Sequence, residues 1–164
     1  MEKGEIIQLT KEERDEGYRI GRERYERNRE NAIHPNFSKG TDLIRIDQEG
    51  VCGEIALAKG LGVLESHWEK FRNTEIRNFR EDEGDVFFNG FKIDVKTTKY
   101  KNGHLLIKKH KKDAQIDVYA LITGWYGRYS FAGFCKREDI ERFAELKEGI
   151  FWIPQFKLSN SSFQ

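Results

Sequence analysis

The sequence predicts an α/β fold, a mixed four- to five-stranded sheet flanked by helices, and three stretches carry that expectation. GDVFFNGFKIDVKTT, from Gly84 to Thr98, alternates apolar and polar residues on both sides of Asn89-Gly90. Asn-Gly between such runs is the strongest short-range signal for a two-residue hairpin turn, because both central residues must take φ > 0. IDVYALITG, from Ile116, is a continuous β-rich run fit for a central strand buried on both faces. Between Asp47 and Gly62 the pattern is that of a helix with a capping aspartate and a C′ glycine. The 164 residues suffice for one core but not comfortably for two.

Composition narrows the function classes. A charged fraction of 35% beside 37% hydrophobic residues fits a globular protein with a well-solvated surface. The net charge is only +1, so any polyanionic partner has to be recognised by a local patch. Two cysteines, Cys52 and Cys135, make neither a disulfide framework nor a four-cysteine zinc site and are expected as reduced core residues. MEKGEIIQLT lacks the apolar stretch of a signal peptide, and no apolar run approaches the ~18 residues of a membrane span. A cytoplasmic protein without membrane contact is expected, and homo-oligomers are left open.

Taken in order, Thr10 and Glu13 have capping-box spacing and open a helix running to about Asn31. Its apolar content is thin (Tyr18, Ile20, Tyr25), and its arginines interleave with glutamates, which favours a solvated, self-paired helix over a phosphate-binding one. Residues 32–46, with Pro35, Ser38 and Gly40, read as a loop. In the helix from Asp47, an advance of ~100° per residue puts Glu54 inside the apolar arc of Leu57, Ala58 and Leu61. A carboxylate there costs several kcal/mol unless it is paired with a core-edge lysine or arginine, protonated, or close to a metal. Val63-Leu64 is expected to start a short strand, Trp68 and Phe71 to enter the core, and Glu83 is a spare acidic group.

The hairpin places chemistry as well as structure. Counting outward from Asn89-Gly90 pairs Phe88 with Phe91, Phe87 with Lys92, Val86 with Ile93 and Asp85 with Asp94. Val86, Phe88, Phe91, Ile93 and Val95 form a core face; Asp85, Phe87, Lys92, Asp94 and Lys96 form the other. Carboxylates directly across a ladder sit with Cβ atoms roughly 4.5–5.5 Å apart and repel. A divalent cation between them relieves this, with Lys96 reaching the same spot.

Downstream, the segment from Lys92 to Lys112 holds eight lysines and one acid, Asp94. Cations leading away from an acidic site suit a polyanion, so Lys92, Lys99, Lys101, Lys108 and Lys109 are candidate nucleic-acid contacts. For Lys108 to Lys112 a basic loop guarding a sheet edge is an equal alternative. HLLIKK reads as a third strand, YSFAGFC as another, and Lys136 to Lys147 as a short amphipathic helix closed by Gly149. His104 and His110 read as surface groups, and Gln115 and Tyr119 fall on a strand pattern that gives them no role. FWIPQFKL is expected as an edge strand because Pro154 cannot donate to a central ladder, and the tail from Ser159 as frayed.

Asp85 with Asp94-Val95-Lys96 at the end of a hairpin resembles the active-site signature of the PD-(D/E)xK, or restriction-endonuclease-like, nuclease superfamily. GVCGEIALAKGLG, AGFCKREDI and FWIPQFKL are similar to segments of its small phage and bacterial members. The resemblance covers residues 47–158; Gly84 stands where the family name has proline. It implies a restriction-endonuclease-like core over 47–164, with residues 1–46 as a helix and connecting loop packing on or extending from it. It also implies a Mg²⁺-dependent nuclease, Mn²⁺ substituting, acting on nucleic acid and on DNA in the first place. Asp85, Asp94 and the Val95 carbonyl would hold the metal, and Glu54 would complete the acidic set through water. Lys96 would orient the attacking water, stabilise the developing charge or, with a lowered pKa, take the water's proton. The alternative is an inactive nucleic-acid-binding or assembly module that keeps the acidic residues as a structural ion pair.

Overall fold

The computed structural model describes residues 1–30, 41–74, 84–109 and 115–160. Its elements in chain order are β1 (Ile6–Gln8), α1 (Lys11–Glu30), α2 (Thr41–Gly60), α3 (Trp68–Arg72), β2 (Val86–Phe88), β3 (Phe91–Thr98), β4 (Leu105–Lys108), β5 (Val118–Trp125), β6 (Arg128–Lys136), α4 (Ile140–Phe143), β7 (Glu145–Lys147) and β8 (Ile150–Ile153). A mixed five-stranded sheet has the order β1-β6-β5-β3-β2, and a smaller sheet has the order β4-β8-β7. β3 and β5 run parallel; the other neighbours run antiparallel. A parallel pair needs a long crossover, and here the crossover carries β4 into the second sheet. The α/β architecture with a mixed five-stranded sheet is therefore present.

The two faces of β3 divide the core. Ile93 and Val95 lie beside Val118 and Ala120 of β5, and this face packs against Val51, Ile55 and Ala58 of α2. The opposite face, with Tyr119 and Leu121, is covered by Leu105, Ile107, Phe151 and Ile153 of the second sheet and by Ile140. The C-terminal helix expected on that side is a single turn, α4. Residues expected to extend it form β7, which turns through Glu148 (φ 52°) and Gly149 (φ 77°) into β8. Glu-Gly acts here as a hairpin turn, and Gly149 is not the helix stop that its place after the amphipathic pattern suggests.

Local signals hold where the contacts are local. The Thr10 N–H donates to the Glu13 carboxylate at 2.8 Å, and the Glu13 N–H to the Thr10 hydroxyl at 3.1 Å, a reciprocal capping box. Asn89 and Gly90 take φ of 48° and 82°, and the register Val86↔Ile93, Phe87↔Lys92, Phe88↔Phe91 follows. Gly62 ends α2 with φ 76°, the Val63 N–H reaching back to the Ala58 carbonyl as in a Schellman motif.

Other expectations are corrected. α2 starts at Thr41, so Asp47 is not its cap, and the boundary drawn after residue 46 falls inside a helix. β1 precedes α1 and hydrogen-bonds to β6. Val63-Leu64 leads into a 3-10 turn, Leu64–His67, not a strand. β8 is the middle strand of its sheet, which Pro154 permits because it lies one residue beyond the ladder. Ser159 is not frayed: it exchanges backbone hydrogen bonds with Phe134. Glu83 and His110 lie outside the described residues.

α1 buries more than its composition predicts. Ile20 is fully buried, and Gly17 and Gly21 bring the backbone of α1 onto α2 so closely that a Cβ at position 21 would stand 2.4 Å from the Gln48 Cα. The expected self-pairing is present too, with Arg19 bridging Glu16 and Glu23. Beneath the crossing, Glu49 of α2 accepts from the Tyr18 hydroxyl at 2.6 Å, the Tyr129 hydroxyl at 2.5 Å and the Tyr126 N–H at 3.4 Å. One buried carboxylate thus ties α1, α2 and β6 together.

Candidate active site

The expected acidic residues come together where the β2–β3 hairpin meets α2, although not with the facing geometry the ladder count predicts. Asp85 lies just outside β2. Its N–H donates to the Ile93 carbonyl at 2.8 Å, and its Oδ2 accepts the Val95 N–H at 2.7 Å. The carboxylate therefore occupies a ladder position instead of standing on the sheet face opposite Asp94. Gly84 is the cause: at φ 84° it turns the chain out of the ladder, and a Cβ there would sit 2.8 Å from the Ile93 carbonyl oxygen. Proline, locked near −65°, has no access to that conformation.

Asp94 and Lys96 stand on the face of β3 that looks toward the second sheet, and the Lys96 ammonium is ion-paired with the Asp94 Oδ2. Glu54 arrives from the other side, on the buried face of α2. Its approach is set by Gly53, whose missing side chain lets the helix rest on Thr97 of β3; a Cβ would come within 1.9 Å of the Thr97 hydroxyl. Glu54 Oε1 accepts from Arg24 of α1 at 2.8 Å, while Oε2 is buried with no hydrogen-bond partner among the described residues. The pairing of Glu54 with a core-edge arginine is thus observed, and it satisfies only one of the two oxygens.

Charge is unevenly matched in this cluster. The Asp85 carboxyl is pushed well above its ordinary range, first by burial and then by Glu54 and Asp94, with Lys96 and the Val95 N–H pulling the other way. Burial lowers the Lys96 ammonium, but Asp94 and Asp85 outweigh it and hold Lys96 protonated. Arg24 is likewise held protonated against burial by Glu54, with Asp85 adding. Arg24 is the residue sequence reasoning missed. Its partner is 30 residues away across a helix crossing, and within α1 it reads as one of many alternating charges.

Among the described residues, no three His, Cys, Asp or Glu side chains are gathered closely enough to hold a metal as they stand. Each carboxylate faces its own partner: Glu54 the Arg24 guanidinium, Asp94 the Lys96 ammonium, Asp85 the Val95 N–H. The chemistry nonetheless fits a hard divalent cation. The donors are all oxygen, as Mg²⁺ requires; the buried Glu54 Oε2 lacks a partner among the described residues, and the ionisation of Asp85 is opposed by neighbours of its own sign.

The candidate lysines divide into three places. Lys99 and Lys101 are exposed on the turn that follows β3, next to a groove of about 730 Å³ whose wall includes Lys96, Tyr100, His104, Leu106 and Trp152. Lys92 lies at the start of β3, its ammonium donating to Gln115 at 3.4 Å. Lys108 and Lys109 are exposed at the far end of β4 from that turn, and neither lines the groove.

Comparison with known proteins assigns the chain to a family without assigning it a role. It belongs to a family of unknown function (DUF5843), whose model matches residues 3–130 and so takes in Glu54, Asp85, Asp94 and Lys96. No curated protein and no solved structure matches it.

Proposed function

We propose that this family member is a metal-dependent nuclease that hydrolyses phosphodiester bonds of nucleic acid, DNA in the first place, on a restriction-endonuclease-like core. One observation carries the reading: Glu54 from α2 and Asp94 from β3, the latter paired with Lys96, both act on Asp85 at the hairpin entry and leave it hard to ionise. Carboxylates are rarely buried together for stability alone, because each raises the cost of ionising the next.

Asp85, Asp94 and the Val95 carbonyl would hold Mg²⁺ or Mn²⁺, with Glu54 completing the acidic set. When bound, the ion polarises the scissile phosphate and acidifies a water. Lys96, protonated beside Asp94, supplies a cation that orients the attacking water and faces the charge growing on the phosphoryl oxygens. A protonated lysine is no general base, so the proton of that water has to leave by way of a carboxylate or solvent. Arg24 donates to one Glu54 oxygen and fixes its direction.

A second reading, an inactive nucleic-acid-binding or assembly module, draws on the two ion pairs, Arg24–Glu54 and Lys96–Asp94. One experiment separates them. The purified protein is incubated with linear, circular and branched DNA, with Mg²⁺ or with EDTA, beside Mn²⁺ titration calorimetry. The nuclease reading expects metal-dependent cleavage, lost in Asp94→Asn, and Mn²⁺ binding. No cleavage and no Mn²⁺ heat would leave the module.

A further inference from the structure

We infer that the groove beside Lys96 takes an unpaired nucleic-acid strand, its bases stacked on the aromatic wall and its phosphates on the lysines of the 99–101 turn. The inference rests on the nuclease reading only in placing the scissile phosphate at Lys96.

The groove has two kinds of wall, and each recognises a different part of a nucleotide. Tyr100 is 66% exposed and Leu106 38% exposed, an apolar surface that core packing does not explain. Trp152 rises from β8, its ring edge-on to His104 at 6.2 Å between centroids. The Trp152 Nε1–H is buried with no hydrogen-bond partner among the described residues, so what the residue offers the groove is its ring. At the rim Lys99 lies 5.4 Å from the centre of the Tyr100 ring, so a cation and an aromatic face are offered side by side. Alternating cations and aromatic faces are how single strands are held, since every base has a π-face and every linkage a charge. A duplex hides its base faces in its own stack and would leave this wall facing water. The volume of about 730 Å³ also falls in the ~300–1,000 Å³ range of pockets that enclose small organic groups.

The wall is built in advance. Gln155 donates from Nε2 to the carbonyls of Lys101 and Gly103, both at 2.8 Å, and the Gly103 N–H closes on the Tyr100 carbonyl at 2.9 Å. The turn that presents Tyr100 and Lys101 is thus pinned to the segment after β8, and little ordering remains when a strand enters.

The test is fluorescence anisotropy on the full chain in EDTA, where cleavage is silent, with short oligothymidylate, oligouridylate and a duplex of equal length. Either single strand is expected to bind about tenfold or more tightly than the duplex. Tyr100→Ala and Trp152→Ala should each weaken single-strand binding about 5- to 150-fold, the range for losing one base–aromatic stack, and leave duplex binding unchanged. Tyr100 is exposed, so its variant keeps the measurement decisive if Trp152→Ala does not fold. Equal affinity for strand and duplex, or an unchanged single-strand affinity in Tyr100→Ala, overturns the inference. Mg²⁺-dependent cleavage that Tyr100→Ala leaves intact on every substrate overturns it too and spares the nuclease. Groove-dependent strand binding without cleavage upholds the groove and removes the nuclease.

Discussion

Two buried glutamates on α2, Glu49 and Glu54, have opposite surroundings. Glu49 is saturated: two tyrosine hydroxyls and a backbone N–H point at its oxygens. Glu54 has one arginine on one oxygen and, among the described residues, nothing on the other, with Asp85 close enough to feel its charge. A carboxylate with both oxygens answered serves the fold, because removing it leaves its donors stranded in the interior. One that is half answered and crowded by its own sign serves something the fold alone does not need. The contrast lies within one helix, so propensity and depth cannot account for it.

That contrast can be broken most directly at Glu54. On the nuclease reading Glu54→Gln lowers Mg²⁺-dependent cleavage by about a thousandfold or more, the several kcal/mol expected from a damaged metal centre, while the fold persists. Cleavage at the parent rate in a folded Glu54→Gln protein would make the two glutamates alike. Glu49→Ala is expected to do the reverse. Stranding the Tyr18 and Tyr129 hydroxyls and opening a hole costs about 3–5 kcal/mol, or roughly 10 °C of melting temperature. Cleavage per folded molecule should not change. A melting curve that does not move would show that the saturated carboxylate is dispensable.

A smaller effect sharpens the comparison at Gly53. Gly53→Ala forces a methyl onto Thr97, at about 1–3 kcal/mol for overpacking. It lifts the Glu54 end of α2 off β3 and leaves the Glu49 end to its tyrosines. Cleavage should therefore fall further than stability, and a variant in which the two fall in step would mean that Glu54 does not depend on this contact.

The smallest effect is a pH profile. The Asp85 carboxyl is raised above its reference value of 3.8 in the folded chain. Below that pH it is protonated in both states; as pH climbs, the unfolded chain ionises first and the folded state is left holding the extra proton. Stability from this group is thus present in acid and lost as pH rises. Asp85→Asn keeps an acceptor for the Val95 N–H and removes the loss. In EDTA it should melt about 2–4 °C above the parent at pH 7.5, the shift of ~1 kcal/mol in a chain of this size, and level with it near pH 4. A gain of the same size at both pH values would mean that charge repulsion is not its source.

What was legible in the sequence was short-range. The capping box at Thr10 and Glu13, the Asn89-Gly90 turn and the burial of Glu54 each follow from residues a few positions apart, where the backbone leaves few choices. Arg24 was not legible, because its meaning comes from a helix crossing that Gly17 and Gly21 permit. Nor was the position of Asp85, since an antiparallel count assumes an unbroken ladder and Gly84 breaks it. The second sheet was hidden for a similar reason: β7 and β8 meet through Glu148-Gly149, a turn whose sequence also suits the end of a helix.

Gly84 also bears on how such a site can change over generations. Glycine and proline codons are not joined by a single base change; the step passes through alanine or arginine. Either intermediate carries a Cβ, which at this φ of 84° would press on the Ile93 carbonyl and drag Asp85 from the Val95 N–H. A lineage with this loop therefore has a damaged intermediate between itself and one with proline before its acidic residue. On this geometry the loop and its glycine are expected to change together or not at all.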